Sequence, residues 1–155
     1  MTYRKTDTGM WTDPWFETLS PNAKLAFIYL WTNEVCNPAG MYEISPRRIK
    51  FELGYDIDTV SEELKPKIEW YPHLNLVWVK NFFRHQVQNS KFATAALRCI
   101  SQEPFKLQMF IEYNREILKQ QKIDLSGYGI DTNPIPYPTE QNRTEQKQKS
   151  FCCQG

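Results

Sequence analysis

Apolar residues recur along this chain at two spacings, one helical and one alternating, with Ser-Pro pairs and Gly marking the changes between them. Ser20-Pro21 predicts a helix start. The Ser hydroxyl can accept from a free N–H of the first turn, and Pro loses nothing there because its N–H would be unpaired anyway. Ala23, Phe27 and Leu30 follow at helical spacing with Leu25, Ile28 and Trp31 beside them. This helix is therefore expected to be buried on most sides and to end near Asn33. Asn37-Pro-Ala-Gly40 reads as a turn, and residues 40–44 alternate as a short strand. Ser45-Pro46 repeats the helix-start signal; Ile49 and Leu53 lie one turn apart, and Gly54 supplies a left-handed stop. A third helix is expected from Asp56 or Asp58 to about Pro66, burying Val60 and Leu64. Two β-like runs follow, 67–71 and 76–82, joined by Pro72-His-Leu-Asn75 at a length that suits a hairpin. Helical periodicity then returns over Ser90–Ser101, with Ala93, Ala96, Leu97 and Ile100 on one face. It continues from Pro104 to about Gln121 with Leu107, Phe110, Ile111, Ile117 and Leu118.

Helix, short strand, helix, helix, β-hairpin is the layout of a winged helix-turn-helix, with Gly54 where its tight turn needs a permissive residue. The predicted fold is mainly α with a small β component: a winged helix plus two C-terminal helices. Periodicity ends after Lys122, where Gly127, Gly129, Pro134, Pro136 and Pro138 interrupt any regular element. Residues 140–149 are too polar to bury a core. The expected division is a domain over 1–122 and a low-complexity, disordered linker or tail over 123–155.

Composition adds bounds. At 155 residues, 41% of them hydrophobic, the chain suffices for one core. The formal charge of +1 does not announce a polyanionic partner, but its distribution is uneven. Residues 52–69 hold six acids and two bases, a net of −4, whereas 80–122 hold eight bases and three acids, a net of +5. Cys36, Cys99, Cys152 and Cys153 lack the spacing of a zinc knuckle, and the N-terminus has no apolar leader. A cytoplasmic protein with reduced thiols and no membrane span is expected. No phosphate-binding loop occurs, and His73 and His85 have no metal-spaced partners. The expectation is a protein that is not an enzyme, with no catalytic residue, metal or cofactor.

The helix-turn-helix layout nominates double-stranded DNA as partner. Arg47, Arg48 and Lys50 open the second helix, which in such folds crosses the phosphate backbone. Thr59, Ser61 and Lys65 fall on the exposed side of the third helix, together with Asp58, Glu62 and Glu63. Those acids oppose a polyanion and suit instead a protein–protein adaptor that meets a basic partner. Lys80, Arg84 and His85 follow the wing and are candidates for adjacent phosphates or the minor groove; the wing tip itself carries little charge. Trp11, Trp15 and Phe16 read either as a stacking platform for single strands or as a hydrophobic cover over the core. Trp70 and Trp78 are expected to pack as a cross-strand pair.

Met10-Trp-Thr-Asp-Pro-Trp-Phe16 followed by Leu19-Ser-Pro-Asn-Ala-Lys24 resembles the opening of phage replisome-organiser proteins. Val77-Trp-Val-Lys-Asn-Phe82 with His85-Gln86 resembles the second wing strand and exit of that family. The resemblance covers roughly Tyr3 to Lys119. It implies a winged-helix, origin-binding module acting in prophage replication, commonly followed by a second domain that engages the helicase-loading machinery. The residues here are expected to correspond to the first module alone. A phage transcriptional regulator shares the fold and is the other reading.

Overall fold

A computed structural model describes residues 3–129; residues 1–2 and 130–155 lie outside it, and with them most of the expected tail. The described chain is mostly helical, with a three-stranded antiparallel sheet in the order β1-β3-β2. Its strands are β1 (Met41–Glu43), β2 (Ile68–Tyr71) and β3 (Leu76–Val79).

Around them run α1 (Pro14–Thr18), α2 (Pro21–Thr32), α3 (Pro46–Leu53), α4 (Ser61–Leu64), α5 (Phe82–Gln86), α6 (Ser90–Ile100) and α7 (Pro104–Gln120). The Ser-Pro starts behave as chemistry dictates. Ser20 accepts from Ala23 N at 3.2 Å and Ser45 from Arg48 N at 3.2 Å. Gly54 ends α3 with φ +83°. An element the periodicity did not reveal, α1, is nucleated by Asp13, which accepts from Trp15 N and Phe16 N at 2.9 and 3.2 Å.

β3 is buried on both faces. Val77 and Val79 join one core with Phe16, Phe27, Leu30, Ile49 and Leu64; Leu76 and Trp78 join another with Phe83, Leu97, Phe110 and Ile111. The sheet therefore divides α2, α3 and α4 from α6 and α7. Strand alternation also corrects the expected Trp pair. Trp70 is opposite Val77 and Trp78 opposite Glu69, so the two indoles lie on different faces of the sheet.

Two other expectations change. The third helix breaks into a 3₁₀ turn, Ile57–Thr59, and the single turn of α4. Thr59 Oγ1 donates to Asp56 O at 2.7 Å and Ser61 Oγ to Asp58 O at 3.1 Å. These local bonds, with Val60 at φ −121° and no side-chain cap, favour a broken path over a continuous helix. The strand expected over 76–82 ends at Val79 rather than Phe82. Its ladder partners run out where Val79 N meets Gly40 O and Lys80 N meets Lys67 O, so the chain turns at Asn81 into α5 and satisfies its own backbone. Phe82 then enters the first core and Phe83 the second. Packing also continues beyond residue 122, since Ile123, Leu125 and Tyr128 lie against the second core. No helix among the described residues is long and apolar enough to cross a membrane.

Two measurements check this packing. Gly40 has φ +68°, and a Cβ there would sit 2.6 Å from Phe82 Cβ and 3.0 Å from Val79 O. Gly40→Ala should cost about 2–4 kcal/mol in chemical denaturation from strain and overpacking together. Asp13 is held below the ordinary carboxylate range, first by the hydrogen bond from Lys67 and then by its cap bonds. Its charge therefore adds stability that is present above the unfolded pKa of about 3.9 and lost as pH falls through the lower folded value. Asp13→Asn should lower the melting temperature at neutral pH and flatten its fall in acid.

Candidate nucleic-acid interface

Pro46 and Ser45 begin α3 with no acid in its first turn, so the positive end of the helix dipole is left uncompensated. Arg47, Lys50 and Phe51 share one side of this helix by their three- and four-residue spacing. Arg47 is exposed and has no ion pair among the described residues. Arg48 pairs with Glu34, and Lys50 with Asp56 at 2.8 Å, all four side chains well exposed. Exposed pairs of this kind contribute little and exchange readily for phosphate. Phe51 is 85% exposed, a large ring on a cationic helix. Its signal in the sequence was its position off the Ile49–Leu53 stripe.

The acids of the next segment are mostly turned to structural use. Glu63 accepts from Ser20 N at 2.7 Å and Ser20 Oγ at 2.9 Å, fixing the cap of α2 from across the core. Asp58 accepts from Trp70 Nε1 at 3.0 Å. Glu62 faces out and pairs with Lys65 one turn on. Of the three expected carboxylates, Glu63 is half-buried against Ser20, whereas Asp58 and Glu62 stay exposed with one partner each. Thr59 and Ser61 spend their hydroxyls on their own backbone, as described above.

The wing candidates separate from these. Lys80 pairs with Glu69 at 2.6 Å and lies near the Trp78 and Tyr113 rings. Arg84 donates to Tyr113 O at 2.6 Å and stacks 4.6 Å from that ring's centre. Both lean to the α6–α7 side of the sheet, while α3 lies on the other. His85 instead sits beside Trp31, ring centres 5.5 Å apart. The structure therefore brings Arg47, Arg48 and Lys50 together, sets Thr59, Ser61 and Lys65 on the following segment, and places Lys80 and Arg84 elsewhere. Three further exposed bases, Lys91 and Arg98 on α6 and Arg115 on α7, also lack ion pairs among the described residues. The +5 net over 80–122 was their trace in the sequence.

No family model, curated protein or solved structure matches this chain.

The two neighbouring glutamates should separate in a stability assay. Glu63→Ala leaves the cap of α2 without its partner and should cost about 1–2 kcal/mol. Glu62→Gln removes only an exposed pair and should change stability by less than about 0.5 kcal/mol. Equal losses at both positions would show that the Ser20 contact contributes nothing.

Proposed function

We propose that this protein is a DNA-binding module of winged-helix type that grips duplex phosphates through α3, and that it acts in phage replication initiation. The single observation that carries DNA binding is the α3 face. Arg47 stands exposed and Arg48 partly exposed in a first turn that holds no acid, with Lys50 exposed one turn on, while Glu63 nearby is held by Ser20 and Asp58 by Trp70. The winged-helix reading is supported by the order α2, β1, α3, α4, β2, β3 and by β1 pairing on β3. A one-turn α4 offers little to a major groove, so contact is dominated by backbone charge and is weakly selective for sequence. The replication role rests on the resemblance of residues 10–24 and 77–86 to replisome organisers, and recruitment of the helicase-loading machinery belongs to that role.

Phe51 favours a second reading. An aromatic ring 85% exposed beside cations is also the form of an anchor for a protein partner, as a replisome adaptor requires.

Duplex binding measured across a salt series separates the two. Each phosphate contact contributes about −0.9 to the slope of log affinity against log salt, so Arg47→Ala with Arg48→Ala should flatten it by up to about 2. Affinity for specific and random duplexes should fall alike, and Glu62→Gln should tighten both. An unchanged slope in the double variant would remove α3 from the DNA contact. Phe51→Ala abolishing capture of a replisome partner, with the duplex slope already flat, would establish the adaptor.

A further inference from the structure

Phe51 is 85% exposed, so both faces of its ring are open to solvent. It projects from the side of α3 that carries Arg47 and Lys50, its neighbours at helical spacing. We propose that Phe51 stacks on an unpaired nucleobase while Arg47 holds the adjoining phosphate, so that the face that grips duplex phosphates also captures an unpaired strand of DNA. This inference rests on the α3 phosphate contact proposed above and names a further form of DNA that the same face takes.

The ring has no structural use. Ile49 is fully buried and Leu53 packs on the first core, so the apolar stripe of α3 is already covered, and Phe51 lies off it. The other large apolar side chains left exposed, Tyr3, Trp11 and Leu25, belong to the N-terminal segment and α2. A protein hot spot gathers its anchors in a well-packed, desolvated pocket. Here the ring's neighbours on its own helix face are two cations, which a partner's apolar pocket would have to strip of water. A nucleotide answers both kinds of group, since its base is a π face and its phosphate an anion.

Space and charge agree. Gly54 falls on the same side one turn after Phe51, and a Cβ there would meet nothing within 4 Å, so the approach to the ring is open. Residues three or four apart on a helix have Cβ atoms about 5–6 Å apart, which suits the phosphate and base of one nucleotide. Arg47 has no ion pair among the described residues and is free to meet that phosphate, whereas Lys50 is held by Asp56 at 2.8 Å and Arg48 by Glu34. Glu52, the one acid of α3, sits with Arg48 beside Tyr29 of α2. In a duplex each base is already stacked on its neighbours, so the ring gains a partner there only after a step is unstacked. An unpaired base has a face to offer without that cost.

The test uses the full chain and two strands of equal length: oligothymidylate, and an oligomer of abasic sites that keeps the phosphates and lacks the bases. The unaltered protein should bind oligothymidylate about tenfold more tightly than the abasic strand. Phe51→Ala should erase that difference and leave affinity for the abasic strand and for duplex where they were. Phe51→Trp should keep the preference, and Phe51→Leu, apolar but without a π face, should lose most of it. The side chain is so exposed that none of these substitutions opens the core. The inference is overturned if the unaltered protein binds both strands alike, or if the preference persists in Phe51→Ala. It is equally overturned if Phe51→Leu keeps the preference in full. The α3 reading beneath it fails by a different result: an unchanged salt slope, on duplex and on single strand, when Arg47 and Arg48 are both replaced by Ala. That outcome removes the phosphate contact whatever Phe51 does.

Discussion

Every other feature of this molecule hangs on a strand with no solvent face. Only four residues long, β3 gives Val77 and Val79 to one core and Leu76 and Trp78 to the other, so neither side can be left to water. A two-stranded hairpin could not supply cover for both, and β1 completes the sheet on the free edge of β3. The α2–α4 unit packs on the first face and α6–α7 on the second. The two C-terminal helices are thus part of the same unit as the sheet, because they cover the face that the strands alone would leave apolar. The same constraint turns the chain at Asn81: beyond Gly40 and Lys67 no strand partner remains, and a helical turn carries Phe82 and Phe83 to opposite cores.

Charge placement follows from that frame. Ser20 and Glu63 are far apart in sequence, yet α4 packs close enough to α2 for the carboxylate to grip both the backbone and hydroxyl of the cap. A residue that reads in one dimension as repelling DNA is, in three, a structural anion. The bases of α3 have no comparable use, and their pairs with Glu34 and Asp56 are exposed and weak. Glu63 keeps its charge but is held at the α2 cap, so where the acids of this segment are placed matters as well as how many there are.

Most of the helices and strands were legible because their signals are local. Ser-Pro starts, the Gly54 stop and the spacing of Ala93, Ala96, Leu97 and Ile100 need no tertiary partner to be read. What failed depended on partners. The continuous third helix was read from Val60 and Leu64, but hydroxyl bonds at Thr59 and Ser61 broke it. The Trp70–Trp78 pair required a register that periodicity does not fix, and a shift of one residue sends a side chain to the other face. Arg47, Arg48 and Lys50 are legible from the Ser45-Pro46 helix start alone, and they share that helix. Lys80 and Arg84 are near in sequence to the hairpin, but Lys80 shares the sheet face of Trp78 and the turn at Asn81 carries Arg84 onto Tyr113, so both lie by α7.

The N-terminal segment was readable only as a cluster of aromatics, and its placement rests on one buried amide. Gln86 Nε2 donates to Lys5 O at 2.7 Å while Lys5 N donates to Gln86 Oε1 at 3.0 Å, the same reciprocal exchange that a neighbouring strand would make. Trp31 Nε1 adds a third bond to Lys5 O at 3.0 Å. Gln86 is 6% exposed, so an apolar replacement would leave the Lys5 backbone N–H without that bond and with little access to water. Fixing Lys5 constrains the path into the turn at Thr8–Thr12, which with Asp7 and Asn81 borders a pocket beside the first core. The aromatic lining of that pocket comes from α1 and α2, and Asn81 and His85 reach it from the start of α5 and from α5 itself. Had β3 run on to Phe82, as the alternation alone suggested, Gln86 would not stand where it holds this strap.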